Sequence, residues 1–166
     1  MSDLSTAVSA TADAAQRIAA DLGDLLDRRG WTVGTAESLT GGTIASVLAA
    51  APSAQDWLRG AVVAYTPEVK FELLGVPEGP VVTEECARTM ATSSARLLGA
   101  DLVVAVTGVG GPEPAEGEPA GTVWFAVAAP DGVRTERIVF DGDPADVLTA
   151  TTEHAIRMVR DTAARD

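Results

Sequence analysis

Three short segments of this 166-residue chain hold the side chains able to do covalent or acid–base chemistry. The first is Thr35-Ala-Glu-Ser-Leu-Thr-Gly-Gly. It places Ser38 at a strand-to-helix turn, where a hydroxyl beside backbone amides can act as a nucleophile, as an anion ligand or simply as a helix cap. The second holds Tyr65 and, five residues later, Lys70. Of the 12 Lys plus Arg residues only Lys70 is a lysine, and only a lysine amine can lose its proton when burial lowers its pKa. A desolvated Lys70 could take the proton of Ser38, with the single tyrosine orienting an amide or relaying a proton. The third is Thr107-Gly-Val-Gly-Gly-Pro, a glycine loop that lets a ligand approach the backbone. It lacks the Gly-Lys-Ser/Thr of a phosphate-binding Walker loop and the full dinucleotide-binding glycine signature.

Other chemistries fall away on residue counts. The one histidine, His154, has helical spacing to Val147 and Met158, which predicts a buried, hydrogen-bonded structural residue. A Ser-His-Asp triad and a multi-histidine metal site are therefore disfavoured, and no metal is expected. Cys86, alone in its type, cannot form an intrachain disulfide and is expected to be a small buried hydrophobe. A formal net charge of −12 opposes binding to a phosphate backbone, so no nucleic-acid partner is expected. No secretion signal or membrane-length apolar run opens the chain, which predicts a cytoplasmic protein that does not engage a membrane.

The elements that would position these side chains read as an alternating α/β pattern. An amphipathic helix is expected from Thr11 to Arg29, ended by Gly30, with residues 1–10 as a flexible tail and 11–166 as a single domain. Strands follow at Trp31–Ala36, Ala61–Tyr65 and Leu102–Val106. Helices are expected from Gly41-Gly42 to Ala50, from Pro67 to Leu74, and from a Thr83 cap to Leu98 before Gly99. Thr122–Ala128 and Arg134–Phe140 flank Pro130-Asp131-Gly132 as a hairpin, and a last helix starts near Pro144. This order predicts an α/β fold, a three-layer α/β/α sandwich with a mixed sheet. Ligands in such sheets gather beyond the carboxyl ends of strands, where both glycine-rich turns fall.

Ala36-Glu-Ser-Leu-Thr-Gly-Gly, Gly60-Ala-Val-Val-Ala-Tyr followed by Lys70, Leu73-Leu-Gly-Val, Thr107-Gly-Val-Gly-Gly-Pro and Pro119-Ala-Gly-Thr-Val-Trp occur in an order and spacing that resemble the CinA C-terminal domain family, also called PncC-type nicotinamide-nucleotide amidases. The resemblance runs from about Ala7 to Arg160. It implies a stand-alone amidase that hydrolyses the carboxamide of nicotinamide mononucleotide to nicotinic acid mononucleotide and ammonia, without a cofactor, and a tendency to pair as a homodimer. Carried over by position, Ser38 would be the nucleophile, Lys70 its base, and Tyr65 and Thr107 assisting residues. Thr40, Gly41, Gly42, Gly108, Gly110 and Gly111 would line the nucleotide site. The chain departs from the family pattern at Leu39, where a cysteine is usual, at Pro67, where an asparagine is common, and at Pro144, where active amidases commonly have an arginine. A proline can neither bind phosphate nor polarise a carbonyl, so the last departure leaves open an amidase on a related amide, or a nucleotide-binding or scaffolding protein that has lost catalysis.

Overall fold

Apolar runs that alternate with polar turns and amphipathic helices must bury both faces of their strands, and the chain does so with one five-stranded sheet. The computed structural model describes the backbone of residues 2–165 and the side-chain surroundings of residues 13–165. The strands are β1 (Val33–Glu37), β2 (Leu58–Val63), β3 (Leu102–Gly108), β4 (Thr122–Ala129) and β5 (Gly132–Val139), in spatial order β2-β1-β3-β4-β5. β1 pairs in parallel with both β2 and β3, whereas β3–β4 and β4–β5 are antiparallel, so the sheet is mixed.

Helices α1 (Ser2–Arg29), α2 (Thr43–Ala49), α3 (Ala54–Trp57) and α6 (Pro144–Ala163) cover one face, through a cluster that includes Leu22, Leu26, Ile44, Val104, Phe125 and Ile156. Helices α4 (Pro67–Leu74) and α5 (Glu84–Leu98) cover the other with smaller residues, among them Ala36, Ala87, Met90, Ala105 and Ala126. The three-layer α/β/α sandwich is thus realised, with the close packing of small residues that so few aromatics require. No helix among the described residues is long and apolar enough to cross a membrane.

Several boundaries follow the local chemistry. The Thr83 hydroxyl accepts from the Cys86 amide at 3.1 Å and starts α5, and Gly99 ends it in the left-handed region at φ 61°. β1 begins at Val33 because the amide and hydroxyl of Thr32 are held by Asp101, at 2.8 and 2.9 Å. α3 is a single turn, too short to leave a periodic trace in the sequence. α1 begins at Ser2, so residues 2–10 of the segment 1–10, expected as a flexible tail, are helical in backbone; Met1 and the side chains of that segment lie outside the described residues.

Topology gives the site its location. β1, β2 and β3 are mutually parallel neighbours, and β5 runs in the same direction as β3, so four carboxyl ends meet at one edge. The connection from β1 runs outward to β2 and that from β3 to β4 on the other side, which makes the β1/β3 edge the switch point where such sheets hold ligands.

Candidate active site

The turn that follows β1 is built around a buried carboxylate. Glu37, the last residue of β1, is fully buried. Its Oε1 accepts from Thr35 Oγ1 at 3.1 Å and from the Ala45 amide at 2.8 Å. Its Oε2 accepts from Thr40 Oγ1 at 2.7 Å and from the amides of Gly42 and Ile44 at 2.9 and 3.2 Å. One side chain therefore caps the seven-residue α2 and fastens the loop that carries Ser38. Gly41 and Gly42 supply the positive φ of this turn, 56° and 101°, which a residue with a Cβ adopts only under strain.

This arrangement changes the part expected of Thr40, Gly41 and Gly42. The Gly41 amide donates to the Ser38 carbonyl at 3.0 Å and that of Thr43 to the Thr40 carbonyl at 3.0 Å, while Glu37 takes the rest. The amides at the start of α2, expected to be free for an anion, are thus occupied by the protein itself. Among the described residues the amides of Ser38, Leu39 and Thr40 in this turn donate to no protein group. Sequence reasoning missed Glu37; the signal available was a carboxylate at the end of an apolar strand, immediately before a Ser-x-Thr-Gly-Gly turn.

A cavity of about 320 Å³ opens at this edge of the sheet. Ser38 and Leu39 enter it from the β1 turn, Tyr65 from the segment after β2, Gly108, Gly110 and Gly111 from the end of β3, and Pro144 and Leu148 from the first turns of α6. The structure thus brings together Ser38, Tyr65 and the three loop glycines, but not Thr40, Gly41 or Gly42. Gly108 has a second reason to be glycine, because a Cβ there would stand 2.4 Å from the Thr122 carbonyl oxygen and 2.9 Å from Val123 Cα. Gly111 precedes a cis peptide bond to Pro112.

Lys70 and Thr107 lie in a second layer behind this wall. Lys70 is buried, and its Nζ donates to the carbonyls of Ala64 at 2.8 Å and Tyr65 at 3.2 Å. The Ala64 amide in turn donates to the Glu37 carbonyl at 2.8 Å, so one residue bridges the amine to the strand end that carries Ser38. Among the described residues no hydrogen bond joins Ser38 Oγ to Lys70 Nζ; such contacts often tighten only when substrate arrives. Burial holds the Lys70 amine below its usual pKa, opposed by the nearby Cys86, Glu116 and Glu68. Thr107 is buried and donates to the Val81 carbonyl at 2.8 Å, so its hydroxyl fastens the segment before α5 rather than facing the cavity.

Glu116, which carries a positive φ of 55°, folds the loop after Gly111 back onto the body of the protein, accepting from the amides of Val81 and Val82 at 2.9 and 2.7 Å. Its carboxylate also favours the charged form of Lys70. Cys86 is buried as expected, with its thiol pushed up to about 11 by burial, and stays protonated at ordinary pH.

His154 lies away from the cavity, with its ring against Phe125 and its Nε2 2.9 Å from Glu136 on β5. It is half-buried rather than fully buried, because α6 lays that face along the outer strand, whose Glu136 reaches the ring. Neither arginine of β5 lines the cavity: Arg134 pairs with Asp131 and Arg137 with Glu118.

Fold and site together define a three-layer α/β protein with a serine turn and a buried lysine at the switch point of its sheet. Residues 15–163 match the family described as CinA C-terminal domain, and the chain belongs to that family. A CinA-like protein of Frankia casuarinae is 39% identical over 141 residues, 82% of this chain and 33% of that relative. The chain thus spans about a third of the length of such curated relatives. A crystal structure of a CinA superfamily protein from Klebsiella pneumoniae superposes with a TM-score of 0.87 at 33% identity, covering 90% of this chain and 98% of that one. The crystal structure of a competence/damage inducible protein from Agrobacterium tumefaciens gives a TM-score of 0.82 at 29% identity, covering 93% and 96%.

Proposed function

We propose that the chain hydrolyses a carboxamide of the nicotinamide mononucleotide type through a covalent Ser38 intermediate. The observation that carries this reading is the convergence of Ser38 and Tyr65 on one cavity, with a buried, pKa-lowered lysine held one residue behind them. Lys70 takes the hydroxyl proton as Ser38 Oγ attacks the carboxamide carbon, and the amine passes that proton to the departing nitrogen, releasing ammonia. Water then cleaves the acyl ester, regenerating Ser38, and the product leaves with a carboxylate in place of the carboxamide, nicotinic acid mononucleotide when the substrate is the mononucleotide. The unengaged amides of Ser38 itself, Leu39 and Thr40 are the donors nearest in sequence to the nucleophile for the charge that develops on the carbonyl oxygen. Tyr65, with its ring largely exposed at the cavity, orients the amide. Thr107 assists from behind by fixing the Val81 segment.

A second reading is a family member that binds such ligands without turning them over, favoured by the apolar Pro144 in the cavity wall. An ammonia assay on nicotinamide mononucleotide separates the two: wild type releases ammonia and Ser38→Ala does not. Binding without ammonia at high enzyme concentration selects the second reading. The family resemblance also carries the expectation of a homodimer, which light scattering on the purified chain checks.

A further inference from the structure

The wall of the cavity beside Ser38 offers a phosphate no cationic side chain. Among the described residues no arginine or lysine lines it; its side chains are Ser38, Leu39, Tyr65, Pro144 and Leu148. Both helices that start at its edge have their amides filled from within the chain. Glu37 occupies those of α2. At α6, Asp143 accepts from the amides of Ala145 and Asp146 at 2.9 and 3.0 Å, while Asp146 accepts from that of Asp143 at 3.1 Å. The positive ends of two helix dipoles, which elsewhere attract anions, are thereby covered with carboxylates. Lys70 is turned to the carbonyls of Ala64 and Tyr65, and Arg137 is engaged by Glu118.

The donors that remain are neutral. The amides of Ser38, Leu39 and Thr40 belong to the nucleophile's own turn and, on the amidase reading, serve the reacting carbonyl. The amides of Gly110 and Gly111 can take a hydroxyl, carbonyl or phosphate oxygen, but no cationic side chain in the wall stands beside them to balance a phosphate dianion. The formal net charge of −12 adds a long-range field that repels phosphate and attracts a pyridinium cation. About 320 Å³ is at the small end of ligand cavities, and Leu39, Pro144, Leu148 and the Tyr65 ring give it an apolar wall suited to a flat aromatic ring.

We infer that this site selects a cationic or uncharged aromatic carboxamide without phosphate, a pyridinium carboxamide nucleoside in preference to its 5′-phosphate. This rests on the amidase reading above and narrows its substrate class. The probes are nicotinamide riboside and nicotinamide mononucleotide, which differ only in the phosphate. Steady-state ammonia release at low and moderate salt is expected to give the riboside a kcat/KM roughly tenfold higher or more, expressed in KM and shrinking as salt screens the field. Pro144→Arg is expected to lower KM for the mononucleotide and close the gap. A kcat/KM for the mononucleotide equal to or above that of the riboside at low salt overturns the inference, and is the result expected if a second copy supplies an arginine to the cavity. If neither compound yields ammonia, the amidase reading fails and calorimetric binding to the wild type decides the inference by itself. Tighter binding of the riboside then sustains it, and equal or tighter binding of the mononucleotide overturns it.

Discussion

Replacing Glu37 with glutamine keeps the shape of the side chain and removes one acceptor and the charge. The amide oxygen fits best where Oε2 now takes three donors, Thr40 Oγ1 and the amides of Gly42 and Ile44. The NH₂ then faces the Ala45 amide, two donors in opposition, while the Thr35 hydroxyl can rotate to accept. One orphaned amide costs about 1–3 kcal/mol, and loss of a buried charge at the start of α2 up to about 2 kcal/mol more. Together these give roughly 1–5 kcal/mol, or a fall in Tm of roughly 2–20 °C for a domain of this size. Because α2 has only seven residues and cannot hold its place unaided, Ser38 should shift with it. A displacement of about an ångström would lower kcat up to about 10²-fold with much less effect on KM. Calorimetry and ammonia release, measured well below the transition, test both effects. A Glu37→Gln variant with unchanged Tm and kcat would refute the view that this carboxylate holds the nucleophile's turn.

Lys70→Arg is expected to lack turnover although it keeps the positive charge, and near-normal turnover would make the lysine a charge anchor instead of a base. In the wild type, kcat/KM should rise with pH through the lowered Lys70 pKa and level off before 10.5, the ordinary lysine value. Between the folded and unfolded pKa values the unfolded chain holds the extra proton, so stability should climb with pH in that window. Lys70→Met should lose that climb in urea melts at successive pH values. Gly108→Ala should lower Tm by the equivalent of about 1–3 kcal/mol, because its Cβ meets the Thr122 and Val123 backbone and must part β3 from β4; an unchanged melt would contradict this contact.

Periodicity and punctuation made most of the frame legible. The Thr83 cap, the Gly99 stop, the α4 start at Pro67 and the Asp131-Gly132 hairpin follow from local backbone chemistry, and all lie where the sequence puts them. The meeting of Ser38, Tyr65 and the Gly108 loop was legible because parallel strands bring their carboxyl ends to one edge. What stayed hidden depends on tertiary partners. Free amides at the start of α2 are a sound expectation until a buried carboxylate fills them, and nothing in the spacing of Thr40, Gly41 and Gly42 reveals that Glu37 turns inward. The Glu116 strap over Val81 and Val82 was equally invisible, since it joins residues 34 and 35 positions apart. Lys70 stood out in composition because the chain uses no other lysine, and its place five residues after Tyr65 in a family-like segment pointed the same way.

The central claim is that Ser38 is a nucleophile, and acid-quenched protein caught during turnover tests it most directly. Intact-mass and peptide analysis should find the substrate's acyl group, the N-ribosylated nicotinoyl ester with its ribose still attached, on the peptide containing Ser38 in the wild type, and none in Ser38→Ala. Ammonia release that persists in Ser38→Ala, or an acyl group on any other residue, would contradict the account.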